Sequence, residues 1–207
     1  MNLAQYQQQF SEDDAPGWDA ITHALEALYP GQQPQHYGTL IKYQFGGPDP
    51  LDGISVYRNE DHLHLVSYGF SNLYYDEEAL DKEFSNFGFE LTMRLPLSED
   101  EPYWAMNLMQ NLARYIFDSG KWFEAGQYIG GQGPIKVDSD TALSSLVLIE
   151  DPQLDAIDTP HGRVEFLQLY GITATELERV LSDKNARPLL AEQQQHNPLL
   201  ITQLDRR

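Results

Sequence analysis

Apolar residues in this chain recur at two different periods, and the switches between them outline a mixed fold. Pro16 opens a predicted helix whose apolar residues Trp18, Ile21, Leu25 and Leu28 fall three and four apart, ending before Pro30-Gly31. From Thr39 to Phe45 the period drops to two. Thr39, Ile41, Tyr43 and Phe45 share one face while Lys42 and Gln44 point the other way, which predicts a strand. Ile54 to Tyr57 and Leu63 to Phe70 read as further strands, and Phe87, Phe89, Leu91, Met93 and Leu95 alternate with Gly88, Glu90, Thr92 and Arg94 as a fourth. Helical spacing returns from Pro102 to Phe117, with Trp104, Leu108, Leu112, Tyr115 and Ile116 on one face that should cover the sheet.

Ala142 to Ile149 and Val164 to Tyr170 read as buried strands, the first closed by Glu150-Asp151-Pro152. Thr173-Ala174-Thr175-Glu176 has capping-box spacing ahead of Leu177, Val180 and Leu181, so a short helix starts there. Another starts near Pro188, and Leu199 to Leu204 is predicted as a final strand. Strands joined by short turns, with helices interspersed late, predict an α+β domain: a mostly antiparallel, mixed sheet covered by helices.

At 207 residues and 41% apolar content, the chain can bury a sizeable core. No long linker divides it, and the Gly126 to Gly133 stretch is too short to separate folding units, so one domain is expected over 16–207. Residues 1–15 form a polar amino-terminal segment whose Gln5 to Gln9 stretch is frayed or begins a short helix. The absence of cysteine removes disulfides and thiolate metal sites. With no basic-then-apolar opening and no run of eighteen apolar residues, a soluble, cytoplasmic protein without membrane contact is expected. The net charge of −19, from 32 acidic and 13 basic residues, opposes nucleic-acid binding and favours a basic protein partner, while also promoting solubility.

The most constrained segment is Gly46-Gly47-Pro48-Asp49-Pro50-Leu51-Asp52-Gly53, which runs into Ile54-Ser55-Val56-Tyr57-Arg58. Two prolines fix φ and remove donors, so the segment reads as a rigid turn that sets the angle between its flanking strands. Asp49 and Asp52 either tie down turn amides or form an acidic surface that contacts a partner.

Candidate catalytic chemistry is sparse. His62 and His64 have a spacing that zinc sites use, with His36 or His161 as a conceivable third ligand, but they read as satisfied structural histidines and no metal is expected. Gly130-Gly131-Gln132-Gly133-Pro134 lacks the ending of a phosphate loop, so no cofactor is expected either. There is no nucleophile elbow, and acidic residues are too abundant for any pair to stand out, which argues against an enzyme.

Gly46 to Arg58, His62-Leu63-His64, Tyr68 to Tyr74, Phe87 to Thr92, Leu112 to Phe117, Glu150-Asp151-Pro152 and Thr159-Pro160-His161-Gly162 resemble the suppressor of fused family, in the same order over about Trp18 to Arg206. The resemblance implies a non-enzymatic binding domain. Animal members bind Gli-type transcription factors, and bacterial relatives are thought to be immunity proteins against secreted toxins. It covers only the amino-terminal domain of the animal proteins, and their second domain, which closes over the bound peptide, is expected to have no counterpart here. The resemblance also implies a peptide groove containing Tyr115, which the helical spacing alone would make a core or core-edge aromatic. Gln127 stands where the family has an acid. A neutral amide cannot make the charge-assisted bond a carboxylate gives, so Gli-type peptides are not the expected ligand.

The function read from the sequence is therefore a protein-binding module, most concretely an immunity protein that occludes a toxin, with Tyr115, Gln127, Asp49 and Asp52 as candidate contacts. The alternatives are a regulator that captures an extended peptide by strand addition, and a hydrolase using surface carboxylates.

Overall fold

The computed structural model describes residues 1–207, the side chain of Gln44 excepted. Its strands are β1 (Gln35–Gly38), β2 (Gly53–Arg58), β3 (His62–Tyr68), β4 (Phe84–Pro96), β5 (Tyr128–Gly130), β6 (Leu143–Glu150), β7 (Ile157–Thr159) and β8 (Gly162–Thr173). Its helices are α1 (Leu3–Gln9), α2 (Pro16–Leu28), α3 (Tyr103–Ser119), α4 (Ala174–Asp183) and α5 (Arg187–Gln194). The strands form one sheet in the order β1-β2-β3-β4-β8-β6-β5, with β7 folded as a hairpin onto β8. Only β4 and β8 pair in parallel, so the sheet is mixed and mostly antiparallel, as the sequence predicts.

Both faces of the sheet are covered. Odd positions of β4 (Phe89, Leu91, Met93, Leu95) join Leu63, Leu65, Leu167 and Leu169 under Ala105, Met109, Ala113 and Ile116 of α3. On the opposite face α2 packs Ile21 and Leu25 against Tyr57, Val66, Tyr68 and Phe166. Beside it, α4 and α5 pack Val180, Leu189 and Leu190 against Val147, Tyr170 and Ile172.

A polar seam lies between these two apolar clusters. Glu90, Thr92 and Arg94 occupy the even positions of β4, an alternation that ordinarily marks a wet face, yet all are fully buried together with His64 and Gln168. Arg94 grips Asp151 with both guanidinium nitrogens: Nη1 donates to Oδ2 at 2.7 Å and Nη2 to Oδ1 at 2.9 Å. Thr92 Oγ1 donates to the same carboxylate at 2.6 Å, and the amides of Gln153 and Leu154 donate at 2.9 and 3.0 Å. His64 places Nε2 3.2 Å from Asp151 Oδ2, while its Nδ1 faces the hydroxyl of Tyr29 at 2.8 Å and Nη2 of Arg94 at 3.4 Å. These neighbours fix a neutral ring that donates from Nε2 and accepts at Nδ1.

A second buried carboxylate shapes the turn after β3. Glu90 accepts from Ser67 Oγ at 2.6 Å, Ser71 Oγ at 2.7 Å, the amides of Gly69 and Ser71 at 3.0 Å and that of Phe70 at 3.4 Å. Burial pushes its pKa up against these bonds. Five donors aimed at one carboxylate fit the acceptor-only, ionised form. The amino-terminal helix is joined to the domain in a similar way. Asn2 and Gln5 form a capping box on α1, and the buried Tyr6 sets its hydroxyl 2.8 Å from His161 Nε2 and 3.0 Å from the amide of Asp76, which donates to it.

Two predicted strands are absent. Thr39 to Phe45 leaves the ladder after Gly38, whose partner is Gly53, and coils back through a short 3₁₀ turn. A Cβ on Gly47 would lie 1.9 Å from the carbonyl of Ile41, so the chain crosses itself too closely for a strand. Of the alternating residues, Ile41, Tyr43 and Phe45 face water instead, Phe45 at 76% exposure, and the intervening Leu40 is fully exposed as well. At the other end, Leu199 to Leu204 is irregular because Leu200 adopts a positive φ of 49°. Its carbonyl and that of Leu199 are bonded by Gln168 Nε2 at 3.1 and 2.8 Å rather than by a neighbouring strand.

The Gly46 to Gly53 turn is held by contacts with α3 rather than by aspartates capping its own amides. Arg114 of α3 pairs with Asp49 through Nη2, and Gln110 brackets Leu51 with bonds to its amide and carbonyl at 3.4 and 3.3 Å. Asp52 caps no turn amide among the described residues. Its carboxylate lines a polar hollow with Lys42 and Tyr74, and its backbone joins Tyr68 and Thr39. Asp52→Ala is therefore expected to shift stability by less than about 0.5 kcal/mol, the range of surface substitutions, as read from denaturant midpoints. A loss above about 1 kcal/mol would restore a capping role.

Burial holds the imidazole of His64 down to about 4, against the bond from Asp151 and helped by Arg94. An unfolded chain titrates this group near 6.5, so between these values it binds a proton that the folded protein refuses, and stability rises with pH across the window. Acidification from pH 7 to 4.5 should cost on the order of 2 kcal/mol from this site. His64→Gln retains a donor toward Asp151 and should flatten the slope in urea titrations at stepped pH. Asp151 is separable from His64. Burial raises its pKa but the bonds from His64 and Arg94 lower it further, so its contribution is lost only below the carboxylate range.

Candidate functional site

The helical period of α3 determines which of its residues stay available. Its buried stripe is Ala105, Met106, Met109, Leu112, Ala113 and Ile116, so small residues and methionines face the sheet. Trp104 and Leu108 are half-buried at one side of that stripe, and Tyr115 is 45% exposed rather than in the core. Of the face the sequence predicts, Leu112 and Ile116 are buried as expected, whereas Trp104, Leu108 and Tyr115 fall to its side because the core is set about one residue round the helix. Ala105 and Ala113 are what allow α3 to lie close to the sheet. Gly120 ends the helix at a φ of 65°, and its amide closes on the carbonyl of Ile116 at 2.8 Å.

The chain then returns past Trp122 and Phe123 to β5, which ends the sheet. The Gly126 to Gly133 stretch, read from the sequence as a loop, contains this short strand. Gln127 accepts at its carbonyl from the amide of Leu148 at 2.9 Å, and Gly131 donates to the carbonyl of Ser144 at 3.1 Å. Antiparallel alternation then turns the backbone groups of Ile129 toward β6 and those of Tyr128 and Gly130 outward. No strand lies beyond them, so the edge presents two unpaired donor–acceptor sets. A Cβ on Gly131 would lie 2.3 Å from the carbonyl of Ser144, which explains the need for glycine there and leaves no phosphate cradle.

Between α3 and this edge runs a trench in two connected parts that share Leu112 and Ile129. One, of about 710 Å³, is lined by Trp104, Leu108, Gly131, Pro134 and Ile135, with Asp138 at its rim. The other, of about 610 Å³, is lined by Tyr115, Lys121, Trp122, Phe123, Gln127 and Tyr128. Lys121 Nζ donates to the hydroxyl of Tyr115 at 2.6 Å and lies 5.2 Å from its ring centre. Gln127 Oε1 accepts from the amide of Glu124 at 3.3 Å.

The structure thus brings Tyr115 and Gln127 to one groove and leaves Asp49 and Asp52 outside it. Asp49 is linked to the groove helix through Arg114 and Asp52 lies in the polar hollow. Sequence reasoning missed Lys121, Trp122, Tyr128 and the edge itself. A three-residue strand flanked by glycines is too short to show a period. The histidines do not converge: His62 bonds Asp61 and Asn59, His161 bonds Tyr6 and Asn72, and no three potential ligands cluster among the described residues. Among the described residues no helix is long and apolar enough to cross a membrane.

With this geometry in place, comparison with known proteins is informative. The family model described as Suppressor of fused protein matches residues 47–207. The human and mouse Suppressor of fused homologs are each 40% identical to the chain, over 78% of its length but 36% of theirs, so the chain spans about a third of the curated relatives it matches. Among solved structures, a chain of the Sufu–Fu complex superimposes with a TM-score of 0.87 at 34% identity, covering 94% of this chain and 92% of that one. Drosophila Suppressor of Fused gives 0.86 at 35% identity over 95% of this chain and 52% of that one. A SUFU homolog from Neisseria gonorrhoeae shares the fold, with a TM-score of 0.61 at 15% identity, covering 92% of this chain and 95% of that one. On the match of residues 47–207 and the closely superimposing relatives, the chain belongs to the suppressor of fused family.

Proposed function

We propose that the protein is a non-enzymatic binding module that captures an extended segment of a protein partner along the outer edge of β5, with the segment's side chains seated in the trench beside α3. The observation that carries this reading is the coincidence of a free strand edge with an apolar groove. Tyr128 and Gly130 offer main-chain bonds, and Trp104, Leu108, Leu112 and Ile129 offer apolar contact along the same line. Tyr115 and Gln127 are contact residues at one end. A solved relative of similar fold is named as a complex with Fu, which supports partner binding as the kind of function this scaffold serves. The buried His64–Asp151 pair is wholly enclosed, which supports binding over acid–base chemistry by that pair.

Biologically, such capture acts by occupancy. We place it in an immunity setting, with the protein neutralising a toxin by stoichiometric occlusion, and the charge of −19 favouring a partner whose overall surface is basic. Co-expression with a toxin encoded beside it tests this directly. Protection that saturates at a fixed molar ratio fits occlusion, whereas protection far below one equivalent with chemical change in the toxin would mean catalysis.

The binding mode has its own test in Gly130→Pro. A Cβ there meets only a Leu177 methyl at 4.0 Å, and the amide lost is one that faces outward, so the fold should tolerate proline at an edge. Stability should change by less than about 0.5 kcal/mol, while partner affinity in a titration falls about tenfold or more through loss of one main-chain bond and obstruction by the ring. Undiminished affinity would place the interface elsewhere.

A further inference from the structure

We infer that the Tyr115 end of the groove recognises an acidic side chain, so the segment captured along β5 carries an aspartate or glutamate there. This rests on the edge-capture reading and deepens it by naming what the pocket selects.

The groove's chemistry at this end is one-sided. Lys121 is the charged residue among those lining it, and no carboxylate lines it. Among the described residues Lys121 forms no ion pair. Of its three ammonium donors, one is given to the hydroxyl of Tyr115 at 2.6 Å, leaving two for a ligand. Because that hydroxyl accepts from Lys121, its own proton is free to donate. Gln127 is oriented by its neighbour: the amide of Glu124 requires the oxygen, Oε1, at 3.3 Å, so the NH₂ group is the part left available. The lysine ammonium, tyrosine hydroxyl and glutamine amide each have a donor left, and the hydroxyl and amide oxygens each already accept one bond. A donor-rich set that includes an ammonium suits a charged group that only accepts, and a carboxylate is the side chain of that kind.

The surroundings sharpen this preference. In a protein of net charge −19, a lysine held across a tyrosine ring beside the half-exposed Trp122 is a local positive spot in a negative field. A partner that is basic overall is drawn by the long-range field, which acts on its total charge. The acidic residue is read at contact range, once the segment lies along β5. At the far end the charged lining residue is Asp138, so the two ends of the trench differ in sign and give a captured segment a preferred direction. An acid at the position of Gln127 would reverse the selection, placing an acceptor where this chain has a donor.

The test is a random linear peptide library of about twelve residues displayed on phage and selected on the full chain, on Lys121→Met and on Lys121→Glu. Gly130→Pro serves as the counter-screen that isolates peptides bound at the edge. Lys121 is exposed at the surface, so its variants should fold, and their denaturant midpoints are to be measured as the control. Edge-bound peptides selected on the unaltered chain should share an aspartate or glutamate at one position. Their affinity should fall about two- to fivefold on Lys121→Met and about tenfold on Lys121→Glu, consistent with a partly exposed charge pair replaced by none or by repulsion. Selection on Lys121→Glu should exchange the acid for lysine or arginine at the same position. Edge-bound peptides with no acidic preference, or with one that Lys121→Glu leaves unchanged, would overturn the inference while leaving edge capture intact. If no selected peptide is sensitive to Gly130→Pro, edge capture and the inference fall together.

Discussion

The bidentate pair between Arg94 and Asp151 is the contact on which the rest of this domain hangs. Arg94 lies on β4, the central strand that pairs in parallel with β8, and Asp151 follows the last residue of β6. Their bonds recruit His64 from β3, Thr92 from β4 and Gln168 from β8, and Gln168 in turn holds the carboxy-terminal segment at Leu199 and Leu200. The carbonyl of Arg94 also accepts from the amide of Thr202 at 2.8 Å. A buried ion pair of this kind contributes little net stability over an apolar replacement, yet removing one partner strands a charge at a cost of about 3 to 5 kcal/mol. Its consequence is specificity: β3, β4, β6, β8 and the tail must meet in one register for all these donors and acceptors to be used.

That constraint explains what the family signature records. Glu150-Asp151-Pro152 carries the carboxylate of the seam, and Thr159-Pro160-His161-Gly162 carries the imidazole that receives Tyr6. Tyr68-Gly69-Phe70-Ser71 is the turn whose amides and hydroxyl converge on Glu90, which itself lies in the Phe87 to Thr92 segment. Gly162, with a φ of 114°, approaches the backbone of Phe84 and Lys82 at distances that a Cβ would violate. These segments are recognisable because buried polar groups tolerate few substitutions. They say that the scaffold is built in the family's way and little about what it binds.

How much could be read from the sequence follows the same physics. Helices with a clear stripe or a cap were legible, including α2 with Pro16 at its start and α4 with Thr173 and Glu176 in a capping box. Strands buried on both faces were legible as strands, but the burial of Glu90, Thr92 and Arg94 was not, because partners such as Asp151 lie some sixty residues away. Thr39 to Phe45 has the period of a strand without a partner to pair with, and Leu199 to Leu204 is apolar because Leu200 fills a core, not because it extends a ladder. Tyr115 and Gln127 came from family resemblance. The edge strand, Trp122 and Lys121 came only from the fold, since a groove is a relation between elements that no local pattern encodes.

Scaffold and groove are thus under different demands, and this separation decides where specificity can change. The seam leaves two core clusters rigid on one face, while the trench on the other is bounded by one helix and a three-residue edge strand. Substitutions at Tyr115, Lys121 or Gln127 touch no residue of the seam, because the sheet and the packed body of α3 stand between them. Distant sites that share no partners add nearly independently. Changes to the groove's charge should therefore act on folding independently of the seam. Gln127 presents a neutral donor at this groove, while the buried carboxylates Glu90 and Asp151 of the scaffold keep their partners.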